Sequence, residues 1–241
     1  MRLRKSSATT LALAAAAPDS LATEWFNAEF WREQGRISGS SFGRYTTWFI
    51  RPPEDATDWV LRHYWRGGLM EKFSKDAYFF TGLERTRALA ELKLLEQLHG
   101  EGLPVPKPIA ARIVKNALWY SADILIERID GCVDLVAFLE KQAMTTEQWQ
   151  QLGSTLARFH RRGVYHADLN AKNILIGNGE FYLIDFDRGE LRTPASQWQQ
   201  SNIDRLQRSF NKEKGKQAGL HFSPENWQQL LAGYQAGMDQ G

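Results

Sequence analysis

The stretch His166-Ala-Asp-Leu-Asn-Ala-Lys-Asn173, followed twelve residues on by Asp185-Phe-Asp187, holds the side chains best suited to chemistry in this chain. Asp168, Asn173 and Asp185 together suit transfer of a phosphoryl group from a nucleotide. A carboxylate at Asp168 can orient a hydroxyl and accept its proton, and Asn173 and Asp185 offer hard oxygens to Mg²⁺ on the phosphates of ATP. Residues 174–176 and 181–184 read as two short strands joined by Gly177-Asn-Gly-Glu180, so a hairpin would return Asp185 to Asn173. A plainer reading takes each Asp and Asn as a turn former. It does not explain why His-x-Asp, the Asp-to-Asn spacing, an apolar triplet and Ile-Asp-Phe coincide.

These motifs resemble the catalytic loop and metal loop of the protein-kinase-like fold, with His-Ala-Asp for His-Arg-Asp and Asp-Phe-Asp for Asp-Phe-Gly. The resemblance implies an α+β, two-lobed architecture. Its small β-rich N-lobe would span 23–127 and its mainly helical C-lobe 128–241. Upstream, Gly35-Arg-Ile-Ser-Gly39-Ser-Ser-Phe-Gly43 lies between β-like runs, where kinases place a hairpin over the triphosphate. Its glycines are four apart, unlike Gly-x-Gly-x-x-Gly. Trp59-Val-Leu-Arg-His-Tyr64 alternates as a strand and places Arg62 where kinases carry the phosphate-holding Lys. Arg can grip phosphate oxygens in a fork. Leu89, Leu92, Leu95 and Leu98 give the next segment helical periodicity, and Glu91, rather than Glu84 or a solvent-facing Glu96, is the expected partner of Arg62. Glu127-Arg-Ile129 would be the inter-lobe hinge whose backbone meets adenine. Lys172 lies between base and metal ligand, in reach of a γ-phosphate. His166 is expected to prop the loop and His160 to be a core or helix-end histidine. Asp204 is the candidate for bracing the catalytic backbone.

The remaining elements must hold these groups in place. Residues 25–32 read as a short amphipathic helix with an aromatic face, and residues 135–142 read as helical. A longer helix starts near Thr146 and ends before Gly163, and the last runs from Pro224 to Met238. Residues 1–22 begin with basic residues and an Ala-dominated run that imitates a secretory signal. The catalytic motif requires cytosolic ATP, so a poorly ordered or helical leader is expected instead. No stretch reaches the ~20 apolar residues of a membrane span. The single cysteine, Cys132, excludes an internal disulfide and reads as a small core residue.

The net charge of +2 over 241 residues points to no nucleic-acid partner. From 188 to 216, however, seven basic residues face only Glu190, Asp204 and Glu213, a local +4. Such a patch suits an anionic acceptor or a membrane surface, although a solvated helix face has the same composition. Nine Trp leave room for a few peripheral anchors beside the core ones. Oligomeric state is not legible.

About 54 residues follow Asp187, without the Ala-Pro-Glu segment of protein kinases, which points to a small-molecule kinase. Val60-Leu-Arg-His-Tyr-Trp-Arg-Gly-Gly68, Val164-Tyr-His-Ala-Asp-Leu-Asn-Ala-Lys-Asn-Ile-Leu175 and Ile184-Asp-Phe-Asp-Arg-Gly-Glu-Leu-Arg192 resemble the bacterial 3-deoxy-D-manno-octulosonic acid (Kdo) kinases, relatives of the lipopolysaccharide core heptose kinases. The resemblance implies ATP-dependent phosphorylation of the 4-hydroxyl of Kdo on a lipid A precursor. The enzyme would act peripherally at the cytoplasmic face of the inner membrane. A heptose or aminoglycoside kinase of the same fold is the alternative. A catalytically inactive binding module has only Arg62 in its favour.

Overall fold

The computed structural model describes residues 1–42, 46–53, 57–65 and 76–240, with Phe42 described by its backbone alone. The tip of the glycine-rich hairpin at Gly43 and the Arg-Gly-Gly after Trp65 lie outside these residues. The chain divides into two compact units, one of residues 1–100 and 106–130, the other of 101–105 and 131–241.

The first unit is built on an antiparallel sheet. Its strands are β1 (Arg2–Ser6), β2 (Thr9–Leu13), β3 (Ile37–Phe42), β4 (Thr46–Ile50), β5 (Trp59–His63), β6 (Tyr78–Phe79), β7 (Pro108–Asn116) and β8 (Trp119–Glu127). Their order is β1-β2-β7-β8-β5-β4-β3, with β6 pairing to β8. Leu61, Leu125, Leu11 and Leu13 pack with Trp25, Trp31 and Trp59 in one buried cluster. A 3-10 turn (Thr23–Phe26) and helix α1 (Ala28–Glu33) supply those first two Trp rings. Helix α2 (Arg87–Gly100) packs on β7 and β8 and buries Leu89, Leu92 and Leu95.

Two sequence expectations are corrected here. Residues 1–13 are a β-hairpin rather than a disordered or helical leader. Leu11-Ala-Leu13 pair with Ala110–Arg112 of β7 and are buried. Arg4 donates to the Leu21 and Asp19 carbonyls and ties the outer strand down. Sheet pairing and burial decide for a strand at Thr9–Leu13, and Ala14–Ala17 follow it as a turn in which the Ala17 N–H bonds the Ala14 carbonyl. Residues 25–32 are not one helix, because Asn27 interrupts. Its backbone is extended and its side chain accepts the Glu29 N–H, capping α1.

The second unit is mainly helical. It contains α3 (Leu135–Leu139), α4 (Thr146–Arg161), α5 (Ser196–Lys216) and α6 (Pro224–Met238). Thr145, one residue before the expected start at Thr146, caps α4 in a reciprocal capping box with Gln148. Helices α4 and α6 touch through glycines: a Cβ on Gly153 would fall 2.0 Å from the Leu230 carbonyl oxygen. Short strands β9 (Val133–Asp134), β10 (Val164–Tyr165), β11 (Ile174–Gly177), β12 (Glu180–Leu183) and β13 (Glu190–Leu191) complete the unit. β11 pairs with β12 and β9, and β10 pairs with β13. Glu101–Val105 belongs with this unit. Glu101 pairs with Arg162 at 2.6 Å, and the Pro104 carbonyl accepts the Leu183 N–H. Cys132 is half-buried beside Gly177, outside the core where it was expected.

Candidate active site

The catalytic loop leaves α4 through Gly163. That glycine has φ of +84°, and a Cβ there would lie 2.1 Å from the Arg192 carbonyl oxygen. Only glycine fits both constraints. The close approach lets Arg192 N–H bond to the Gly163 carbonyl and lets β10 pair with β13. Chain entry and exit are thereby joined on either side of the two motifs.

His166 holds them from within. Its backbone N–H donates to Asn202 Oδ1, its Nε2 lies 3.0 Å from the Ile184 carbonyl, and its Nδ1 accepts the Asp168 N–H. This pattern requires the tautomer protonated on Nε2. Burial holds the imidazole pKa below its ordinary value, so the ring is neutral, and with Nε2 on the Ile184 carbonyl and Nδ1 on the Asp168 N–H it has no lone pair free to serve as the reacting base. Phe186 is fully buried with its ring 4.8 Å from that of His166. One histidine therefore links the backbone of Asp168 to the residue before Asp185.

The β11–β12 hairpin does the rest. Ile174 pairs with Leu183 around a two-residue turn, Asn178-Gly179, in which both residues have positive φ. The Ile184 N–H then donates to the Asn173 carbonyl, which brings Asp185 back to Asn173. Asp185 has φ of +62°. Asp is among the few non-glycine residues that tolerate this region, and such conformations cluster at functional sites. A 3-10 turn (Ala171–Asn173) is capped by Asn170, which accepts the Lys172 and Asn173 N–H groups. Asn173 Nδ2 donates to the Asp168 carbonyl, which leaves its Oδ1 to face a cation. That oxygen and the Asp185 carboxylate are the hard donors that would hold a small cation together with phosphate oxygens and water. Among the described residues no cluster of three or more His, Cys, Asp or Glu could hold a metal without such help.

Asp168 itself is half-exposed and pairs with Arg205 on α5. Sequence reading missed Arg205 because it lies 37 residues away with no motif around it. The brace assigned to Asp204 is also corrected. Asp204 bonds Gln200 on the outer face of α5, and Asn202 holds the catalytic backbone instead. Lys172 reaches Glu213, 3.7 Å away. Glu213 is buried, and Lys216 bonded to it keeps its carboxyl below the usual range. Within the basic stretch, Arg192 bonds Glu190 and covers the Tyr165 ring, while Arg188, Arg208 and Lys212 are exposed.

In the first unit Arg62 meets Glu91. One guanidinium nitrogen is 2.6 Å from both carboxylate oxygens, and the Tyr64 hydroxyl donates to Oε2 at 2.5 Å. Strand alternation accounts for Tyr64, two residues on and on the same face as Arg62. Glu84 pairs with Lys93 at the surface, and Glu96, expected in solvent, accepts the Ala15 N–H. At the segment 127–129, the Glu127 N–H bonds the Lys107 carbonyl and the Arg128 N–H bonds the Asp58 carbonyl. Among the described residues the Ile129 N–H makes no such backbone bond.

A family model described as the lipopolysaccharide kinase (Kdo/WaaP) family matches residues 28–234. A 3-deoxy-D-manno-octulosonic acid kinase of Mannheimia succiniciproducens is 49% identical over 218 residues, covering 88% of this chain and 90% of that protein. One from Haemophilus influenzae is 46% identical over 225 residues, with the same two coverages. The solved structure of WaaP in complex with acyl carrier protein superposes with a TM-score of 0.56 at 15% identity, over 94% of this chain and 88% of the other, so the protein-kinase-like fold is shared. Among the described residues no helix is long and apolar enough to cross a membrane.

Proposed function

Because the chain belongs to the lipopolysaccharide kinase (Kdo/WaaP) family, we propose that it transfers the γ-phosphoryl group of ATP to the 4-hydroxyl of Kdo on a lipid A precursor. The observation that carries this reading is the likeness, along nearly the whole chain, to proteins named as kinases of that sugar acid. A heptose or aminoglycoside acceptor is not favoured by those likenesses.

The residues divide the work as follows. Arg62, held by Glu91 and Tyr64, grips phosphate oxygens. The Ile129 N–H is the donor left in its segment for the adenine edge, with Glu127 beside it. Asn173 Oδ1 and the Asp185 carboxylate would hold Mg²⁺. When bound, the cation supplies positive charge against the β- and γ-phosphates. Asp168 aligns the sugar hydroxyl with the γ-phosphorus. As the O4–Pγ bond forms and the bond from Pγ to the β-phosphate oxygen breaks, Asp168 takes the hydroxyl proton and ADP leaves. Lys172, turned to Glu213, contributes to the γ-phosphate only if it exchanges that partner.

An acceptor anchored by acyl chains places the protein at a membrane surface, and its ATP requirement places it at the cytoplasmic face. Arg188, Arg208 and Lys212 would face the anionic surface there. Labelled ATP offered with a Kdo-bearing lipid A precursor, and with the same precursor lacking Kdo, tests the acceptor. Label should enter the first alone. Label entering both equally, or a heptose lipid instead, would overturn the assignment.

A further inference from the structure

Three residues on one face of α5 touch the catalytic loop in order. Asn202 accepts the His166 N–H at 3.2 Å, Arg205 pairs with Asp168, and Ser209 accepts the Ala171 N–H at 3.1 Å. Their spacing of three and four residues is that of a single helical stripe. The outer two contacts pin the helix to the loop backbone on either side of Asp168. The helix therefore holds the Arg205 backbone beside Asp168.

The pair is also built to exchange. The Asp168 and Arg205 side chains are 45% and 47% exposed, so water competes for both partners. Yet Arg205 stands at the same carboxylate that the acceptor hydroxyl must approach. A second carboxylate arriving with the acceptor would resolve the conflict. The chemical name of Kdo supplies it: an octulosonic acid has its carboxyl on C1 and its keto carbon at C2, and the 3-deoxy position removes the hydroxyl between. The 4-hydroxyl is therefore the first one beyond the acid, and a single methylene separates the ring carbons that bear the two groups. A residue beside the base that serves O4 is within reach of the carboxylate. The planar fork of Arg matches a carboxylate in a way that a point charge does not.

On the acceptor reading above, we propose that Arg205 recognises the acid group of the acceptor, moving from Asp168 to the sugar carboxylate as the 4-hydroxyl takes its place. The proposal makes Arg205 the residue that separates a sugar acid from neutral sugars. A soluble Kdo glycoside and its methyl ester test it on the whole enzyme. Esterification should raise the acceptor KM of the wild type about 10- to 100-fold, as loss of a charge-assisted pair would, and leave the ATP KM alone. Arg205→Gln should raise the KM for the free acid similarly, after which the ester should differ from the acid by less than about twofold. Arg205→Lys should fall between. A wild type indifferent to esterification overturns the proposal without any variant. An Arg205→Gln enzyme that still penalises the ester fully does the same, and so does one whose ATP KM rises with its acceptor KM. A wild type that phosphorylates neither glycoside but does phosphorylate a heptose would overturn the acceptor reading itself, and this inference with it.

Discussion

The arginine–carboxylate pairs Arg62–Glu91 and Arg205–Asp168 are opposites. In the first unit Glu91 is buried to 1% exposure, bonded by Arg62 and by the Tyr64 hydroxyl. In the second, Asp168 and Arg205 are both half in water. A buried carboxylate that loses its partner keeps its desolvation penalty, so the first pair is fixed. An exposed pair exchanges one partner for another at little expense, so the second can open to a substrate. A nucleotide phosphate needs a fixed cation. A reacting hydroxyl needs a base that becomes available.

The largest expected effect falls on the exchangeable side. Asp168→Ala should lower kcat by roughly 10²- to 10⁴-fold with the ATP KM nearly unchanged, since alignment and proton acceptance are lost and phosphate binding is not. Turnover near that of the wild type would remove Asp168 from the reaction. Asp185→Asn should come next, raising the Mg²⁺ concentration for half-maximal rate by more than about tenfold. An unchanged metal titration would take Asp185 out of the site.

The comparison is sharpened by stability. Glu91→Ala should shift the urea midpoint by the equivalent of about 3 kcal/mol and raise the ATP KM, whereas Arg205→Gln should change stability by less than about 1 kcal/mol. Equal losses would mean that the two pairs do not differ in kind. His160 gives a similar magnitude by another route. Burial on α4 lowers its pKa from 6.5 to about 4, with the Asn202 side chain opposing the shift. The unfolded chain then binds the proton more readily than the folded one. The contribution is complete above pH 6.5 and is lost as pH falls towards 4, by roughly 3 kcal/mol. In His160→Gln the slope of stability over that window should flatten.

The smallest effect belongs to the exposed cations. Neutralising Arg188, Arg208 and Lys212 together should raise the KM for the lipid acceptor only a few-fold, more at low salt than at high, with the ATP KM unmoved. Arg192 is left out of this set because Glu190 and Tyr165 already engage it. If nucleotide and acceptor binding fell alike, the segment would be holding the fold.

Local spacing made much of this legible. Asn178-Gly179 between two apolar runs specifies a hairpin wherever it occurs, and the hairpin brings Asp185 to Asn173. Leu89, Leu92 and Leu95 put Glu91 on a helix whatever that helix packs against. Motifs of this kind are read from a dozen consecutive residues, because turn chemistry and periodicity are properties of short segments.

Other features depended on partners far along the chain. Residues 9–13 carry no instruction to become an inner strand until β7 offers them hydrogen bonds, almost a hundred residues later. Nothing around Asn202 sets it above Asp204 as the brace, since helical rotation and burial choose between them. Arg205 is one of seven cations in its stretch by composition. Packing of α5 on the catalytic loop alone singles it out, because a side chain's task follows from which group it faces, and that is a property of the folded surface.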